Sequence, residues 1–158
     1  QWDNELAVIA QTWANQCHYG HDSCRNVGKY KQISRFKVGQ NVAEKQFTSG
    51  REPDPMKWIE VLNKWYNEVR NYDYREVSAF KGLDDYPVTG HYTQMIWAGT
   101  NRVGCGFVSF KTKYIPFSYS ELYVCNYGSA GNVLGRPVYL QGEPCSQCRR
   151  GCYKGLCL

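Results

Sequence analysis

The spacing of apolar positions along the chain marks two helices before anything else is considered. In "WDNELAVIAQTWANQC" Leu6, Ala10, Trp13 and Cys17 recur at offsets of four, three and four, one face of an amphipathic helix with Asp3 or Asn4 as its cap. In "SGREPDPMKWIEVLNKWYNEVRNY" Asp54 suits the N-cap and Pro55 the first helical position. Trp58, Val61, Leu62, Trp65, Val69 and Tyr72 then make the apolar stripe. Glu60 and Lys64 form a favourable pair on the opposite face. Glu68 breaks the pattern: three residues after Trp65 and four before Tyr72, it falls on or beside the buried stripe, where a carboxylate needs a partner.

After Gly90 the periodicity shortens. "CGFVSF" and "ELYVCNY" read as strands, with Cys105 and Cys125 placed to bridge neighbours. Both segments carry large apolar side chains on both faces, so the sheet is expected to be covered on two sides. That predicts an α/β, three-layer α-β-α sandwich. Gly128, Gly131 and Gly135 mark turns. The closing "YLQGEPCSQCRRGCYKGLCL" is too small to bury a core and needs disulfides to hold it. No internal repeat or low-complexity segment is present.

At 158 residues the chain is long enough to bury a core unaided, so size does not explain its eight cysteines. An even cysteine count with no apolar run long enough to span a bilayer points to a secreted protein of an oxidising compartment. Nineteen basic residues against fourteen acidic ones are scattered apart from Arg149 and Arg150, which serves solubility and argues against a nucleic-acid partner. Cys17 and Cys24, seven apart, would stand about 10 Å from each other on a continuous helix, too far for a disulfide, unless Gly20 breaks the helix between them.

Candidate chemistry is sparse. Neither a GxSxG nucleophile elbow nor a phosphate-cradling glycine loop occurs, and no cysteine stands clear of the disulfide inventory. His18 and His21 are spaced by three, a weak zinc signal with Gly20 between them. The tail spacing CxxCxxxCxxxxC suits either a four-thiolate zinc site or disulfides, and the oxidising setting favours disulfides.

Four ordered motifs together resemble the CAP superfamily of cysteine-rich secretory proteins, antigen five and plant pathogenesis-related class one proteins. They are "WANQCHYGHDSCR" with "VGQNVAE", "WYNEVRNY", "GHYTQMIWAGTNRVGCG" and "YVCNYGSAGN", and the likeness to the antigen-five branch of arthropod venom and saliva is the greater. The resemblance implies a CAP domain over 1–140, opening at the family's second helix, and a hinge-like tail over 141–158. "PCSQCRRGCYKGLC" is similar to the hinge of cysteine-rich secretory proteins, which implies the pairs Cys145 with Cys152 and Cys148 with Cys157. It also implies that Cys17 and Cys24 pair with cysteines of an upstream segment that the sequence does not contain.

The family's central cleft maps onto His21, Glu68 and His91, while its second acid is replaced by Gln40. An amide there donates as well as accepts hydrogen bonds, and it weakens any chemistry that needs two carboxylates. The resemblance therefore implies a secreted, monomeric, non-enzymatic protein with no catalytic residues and no required cofactor. Its cleft is expected to hold zinc or another divalent cation between His21 and His91, and its partners to be a fatty acid, sterol or lipid mediator, or a host extracellular protein. The competing readings are a hydrolase using the cleft histidines as bases, and a toxin that engages a receptor through loops such as the one from Phe47 to Pro55. Channel block through a cysteine-rich domain following the hinge is not expected, because the sequence contains none.

Overall fold

The structure, a computed structural model, describes residues 1–26, 35–48, 57–82, 87–113, 116 and 118–157. Its first helix is set by Asp3, whose extended backbone lets the carboxylate accept from the N–H groups of Glu5 and Leu6, each at 3.1 Å. Two donors that a helix start leaves orphaned are thereby satisfied. Helix α1 runs Asn4–Ala14, with Leu6, Ala10 and Ala14 fully buried. It ends earlier than its apolar spacing implies: Cys17 lies beyond it at φ 54°. The chain then folds back, and the Trp13 indole donates to the carbonyl of Gly20 at 2.8 Å. His18 and His21 consequently share no helical face.

Three antiparallel strands form the sheet in the order β1-β3-β2: β1 is Val38–Phe47, β2 Arg102–Lys111 and β3 Tyr119–Gly128. Alternation splits them cleanly. Val42, Leu122 and Val124 face α1 and pack on Ala10 and Ala14, whereas Ala43, Tyr123, Cys125 and Tyr127 face the opposite layer and pack on Val61 and Trp65. Helix α1 lies almost directly on β2, because a Cβ at Gly104 would run into the Ala7 nitrogen and one at Gly106 into the Gln11 backbone. Helices cover both faces, as expected for the three-layer sandwich. A smaller cluster of Phe80, Trp97 and Val138, flanked by Tyr72 and Ile96, closes the far end.

The second layer begins with α2, Trp58–Tyr66, which starts after Lys57 without a side-chain cap. Asp54 and Pro55 lie outside the described residues. The Tyr123 hydroxyl anchors this start: it accepts from the Lys57 N–H at 3.1 Å and donates to Glu121 Oε2 at 2.7 Å. Burial, with Glu121 beside it, holds that phenol above its ordinary value. Two expectations need correction. The apolar stripe does not continue as one α-helix but tightens into a 3₁₀ turn over Asn67–Asn71, and Leu62 is exposed. Glu60 pairs with Lys45 at 2.5 Å and Lys57 at 3.6 Å, not with Lys64. A further short helix, α3, forms at Gly90–Met95, a stretch to which the apolar pattern assigns no element.

The two sheet edges are treated differently. The outward groups of two β2 residues are taken: Asp3 N–H donates to Val103 O, Val103 N–H to Gln1 O, and the Gln11 amide pairs with both backbone groups of Phe107 at 2.7 and 3.0 Å. Among the described residues the outer edge of β1 has no such cover beyond its first residues. Cys105 and Cys125, directly opposed across β2 and β3, are joined. The tail holds a two-residue ladder of β4, Cys152–Tyr153, and β5, Leu156–Cys157, with Cys145 bonded to Cys152 and Cys148 to Cys157. No described helix is long and apolar enough to cross a membrane.

Asp3 carries more than a cap: Arg35 and Arg102 approach its carboxylate at 3.2 and 3.3 Å. Burial alone would raise its pKa, but the Leu6 N–H and the two guanidinium groups outweigh burial and hold the carboxyl below its ordinary value. A carboxyl more acidic when folded stabilises the fold at neutral pH, and that contribution is lost as pH falls from about 4 through the folded-state value. Asp3→Asn keeps the cap and removes the charge. It is expected to cost about 1–2 kcal/mol in urea unfolding at pH 7 and far less at pH 3; an equal gap at both pH values would contradict this.

Candidate functional site

The partner that Glu68 needs is the N-terminus of α3. Glu68 lies in the 3₁₀ turn at Asn67–Asn71, and its Oε2 accepts from the N–H groups of His91 and Tyr92 at 3.0 and 3.1 Å. Its Oε1 accepts from His91 Nδ1 at 2.6 Å. Thr89, at the cap position of α3, makes no side-chain cap bond, so Glu68 performs that service from another element. His91 is further fixed by stacking on buried Trp65, with ring centroids 5.7 Å apart at 11°, and its carbonyl accepts from Asn41 Nδ2 at 3.1 Å.

A second pair is built on the neighbouring residue of β1. Gln40 is buried; its Oε1 accepts from the Asp22 N–H at 2.9 Å and stands 3.0 Å from His21 Nδ1, while its Nε2 donates to Asn126 Oδ1 at 2.9 Å. An amide oxygen can only accept, so the proton lies on His21 Nδ1. The same reasoning at Glu68 places the proton on His91 Nδ1. In the neutral ring Nε2 is then the lone-pair nitrogen of each imidazole, the tautomer that a metal-binding histidine uses.

The structure thus brings together His91 with Glu68 and His21 with Gln40, and links the pairs through the adjacent backbone of Gln40 and Asn41; no direct bond joins one histidine to the other. A cavity of about 330 Å³ opens beside them, lined by Tyr19, Val42, Ala43, Glu44, Gln46, Lys64, Trp65, Glu68 and His91. His21 and Gln40 are outside that lining. Tyr19, Glu44, Gln46 and Lys64 are cleft residues with no local pattern to announce them, because their shared position depends on how the 19–24 loop and α2 dock against β1. Among the described residues, the one set of three ligand-type atoms within 4.8 Å of one another is Cys145, Cys148 and Cys152, and all three sulfurs are in disulfides. Cys17 and Cys24 are exposed thiols without a disulfide partner among the described residues.

Residues 1–127 match the family model described as CAP, the cysteine-rich secretory protein family. The chain belongs to this family. It is similar to venom allergen 3 of Solenopsis invicta, 47% identical over 140 residues that make up 87% of this chain and 55% of the relative. It also resembles venom allergen 5 of Vespula flavopilosa, 44% identical over 87% of this chain and 60% of the relative, and venom allergen 5 of Tityus serrulatus, 41% identical over 94% and 33%. The CAP chain thus spans between a third and three fifths of the length of these curated relatives. Among solved structures, BmVAL-1 aligns with a TM-score of 0.75 at 28% identity over 99% of this chain and 74% of that one. NaASP2, solved with Zn2+, aligns with a TM-score of 0.74 at 30% identity over 100% and 75%.

If Glu68 holds α3 and His91 in place, Glu68→Gln should cost about 1–3 kcal/mol, since an amide cannot accept with both of its heavy atoms. Urea unfolding at pH 7 reads this directly, and a change within about 0.5 kcal/mol, the range of ordinary surface substitutions, would contradict it.

Proposed function

We propose that this CAP protein is a secreted, extracellular binding protein of the venom-allergen type that performs no chemistry of its own, and that its two cleft histidines bind a divalent cation. The observation that carries this reading is the matched hydrogen bonding: each Nδ1 faces a protein acceptor, Gln40 for His21 and Glu68 for His91, so in the neutral ring Nε2 is the nitrogen left to bind. Imidazole nitrogen suits zinc or copper. The similarity to NaASP2, which was solved with Zn2+, supports the same choice. Glu68 is assigned the orienting of His91, since the His91 and Tyr92 N–H groups and His91 Nδ1 already draw on both of its oxygens. Only two protein ligands remain, and waters would complete the shell, which makes the site open and weak.

The same geometry weighs against hydrolysis. His91 Nδ1 is occupied, Glu68 is committed, the second acid of the family cleft is the amide Gln40, and no serine, threonine or cysteine side chain is hydrogen-bonded to either imidazole among the described residues. A small hydrophobic ligand is a second reading. It rests on the exposed flank of α2, where Ile59, Leu62 and Tyr66 are uncovered and Tyr66 continues through ring contacts to Tyr92 and Tyr72. Residues 49–56 of the loop suggested for receptor contact lie outside the described residues.

Calorimetric titration of the purified chain with zinc should show micromolar or weaker binding at pH 7.4. Binding should fall away as pH drops below about 6, where imidazole ligands are lost to protons. His91→Ala and His21→Ala should each abolish the heat, while organic extraction of the same preparation tests for a co-purified fatty acid or sterol. No heat at pH 7.4, or heat that survives both substitutions, would remove the cation reading; an empty extract with no uptake of fluorescent fatty acid would remove the lipid one.

A further inference from the structure

The cysteine-rich tail has no core of its own, and its disulfides decide which side chains it shows. Over residues 141–157 only Cys145 and Cys148 are even partly shielded from solvent. β4 and β5 pair Cys152 with Cys157 and Tyr153 with Leu156, and successive residues of a strand point to opposite faces. Cys152 and Cys157 are bonded to Cys145 and Cys148, so one face of the hairpin is turned toward the rest of the tail. Tyr153 and Leu156 stand opposite each other on the other face, 64% and 73% exposed.

The turn between them has two residues, Lys154 and Gly155, with φ of 49° and 79°. Positive φ at both positions is the pattern of a type I′ turn, whose first position favours asparagine, aspartate or glycine. Lysine is therefore not the residue that the turn itself selects. Its Nζ lies 5.4 Å from the centre of the Tyr153 ring, so a cation and an aromatic share the tip. Arg149 and Arg150 are exposed too, and at most about 11 Å of chain separates Arg150 from Tyr153. None of these three cations forms an ion pair among the described residues. Against them the tail carries one acidic side chain, Glu143, and it stays cationic even with a carboxylate counted at Leu158. The whole chain is net positive as well, at +5 with histidine neutral.

Three side chains at a hairpin turn offer too little area for a stable protein complex, which buries about 800 Å² on each partner. A bilayer asks for less: tyrosine and leucine settle at the headgroup level while lysine and arginine stay with anionic phosphates. We propose that the disulfide-held tail docks the protein on membranes that expose anionic lipid, with Tyr153 and Leu156 inserted at the interface and Arg149, Arg150 and Lys154 against the phosphates. The contact is peripheral and reversible, because the inserted area is small. It does not depend on the histidine cleft.

The test floats the full, oxidised chain with vesicles of phosphatidylcholine alone and of an equal mixture with phosphatidylserine, in buffer containing a chelator. The chain should rise with the mixed vesicles and not with the neutral ones, and binding should weaken as salt is raised. Lys154→Asn, which suits the turn while removing the charge, should weaken binding about fivefold, and Arg149→Gln and Arg150→Gln about fivefold each. Tyr153→Ser with Leu156→Ser keeps every charge and should weaken it about tenfold. The proposal is overturned by no binding to mixed vesicles at low salt, by equal binding to neutral ones, or by Lys154→Asn binding as the parent does. It is overturned equally by binding that survives the serine pair, which would leave a cationic patch open to any polyanion, an acidic protein included. Zinc titration of the Lys154→Asn protein should match the parent, which separates failure of this mode from failure of the histidine site.

Discussion

A carboxylate carried on the inner side of a helix has to find donors, and Glu68 finds three: the N–H groups of His91 and Tyr92 and the Nδ1 of His91. This contact joins elements that are otherwise strangers in sequence, twenty-three residues apart, and it does several things together. It caps α3, which is only six residues long and has no cap of its own. It fixes the ring of His91 in one tautomer, flat against Trp65. It also removes the carboxylate from the pool of free bases, and so shapes what the cleft can do. Partial burial ties these roles together, because a carboxylate shielded from water is costly unless it is hydrogen-bonded.

Gln40 plays the corresponding part for His21, but as a neutral group. Its oxygen serves the Asp22 N–H and the imidazole while its nitrogen serves Asn126, so every polar atom of a buried amide is used. A carboxylate in this position would face Asn126 Oδ1 without a proton to offer, unless the Asn126 amide turned round. The substitution of amide for acid therefore fits the hydrogen-bond pattern of β3 and gives a cleft with one anion instead of two. That pattern supports the proposed reading of the cleft as one that binds.

Much of the architecture could be read from the chain because local spacing and tertiary packing agree there. Leu6 and Ala10 on α1, Val61 and Trp65 on α2, and the doubly apolar strands around Cys105 and Cys125 each announce the face they bury. The odd placement of Glu68 was also visible, though not its partner. Three features were hidden for a physical reason. β1 mixes Gly39, Gln40 and Asn41 into its buried half, since those residues are buried to hydrogen-bond rather than to pack. α3 is held by a cap from another element, so no local signal marks its start. The change to a 3₁₀ turn at Asn67 coincides with the contact of Glu68 to α3, a tertiary feature that the apolar stripe cannot record. The cleft histidines and Glu68 could be named only through the family resemblance; Tyr19, Glu44, Gln46 and Lys64 required the assembled layers.

The central claim is that Glu68 holds His91 by its Nδ1 and leaves Nε2 free, and imidazole ¹⁵N correlation spectra at neutral pH test it most directly. The account predicts a protonated Nδ1 with a strongly downfield hydrogen-bonded proton and an Nε2 with the shift of an unprotonated, pyridine-type nitrogen, both lost in Glu68→Ala. A His91 ring protonated at Nε2 instead, or one averaging freely between tautomers, would contradict it.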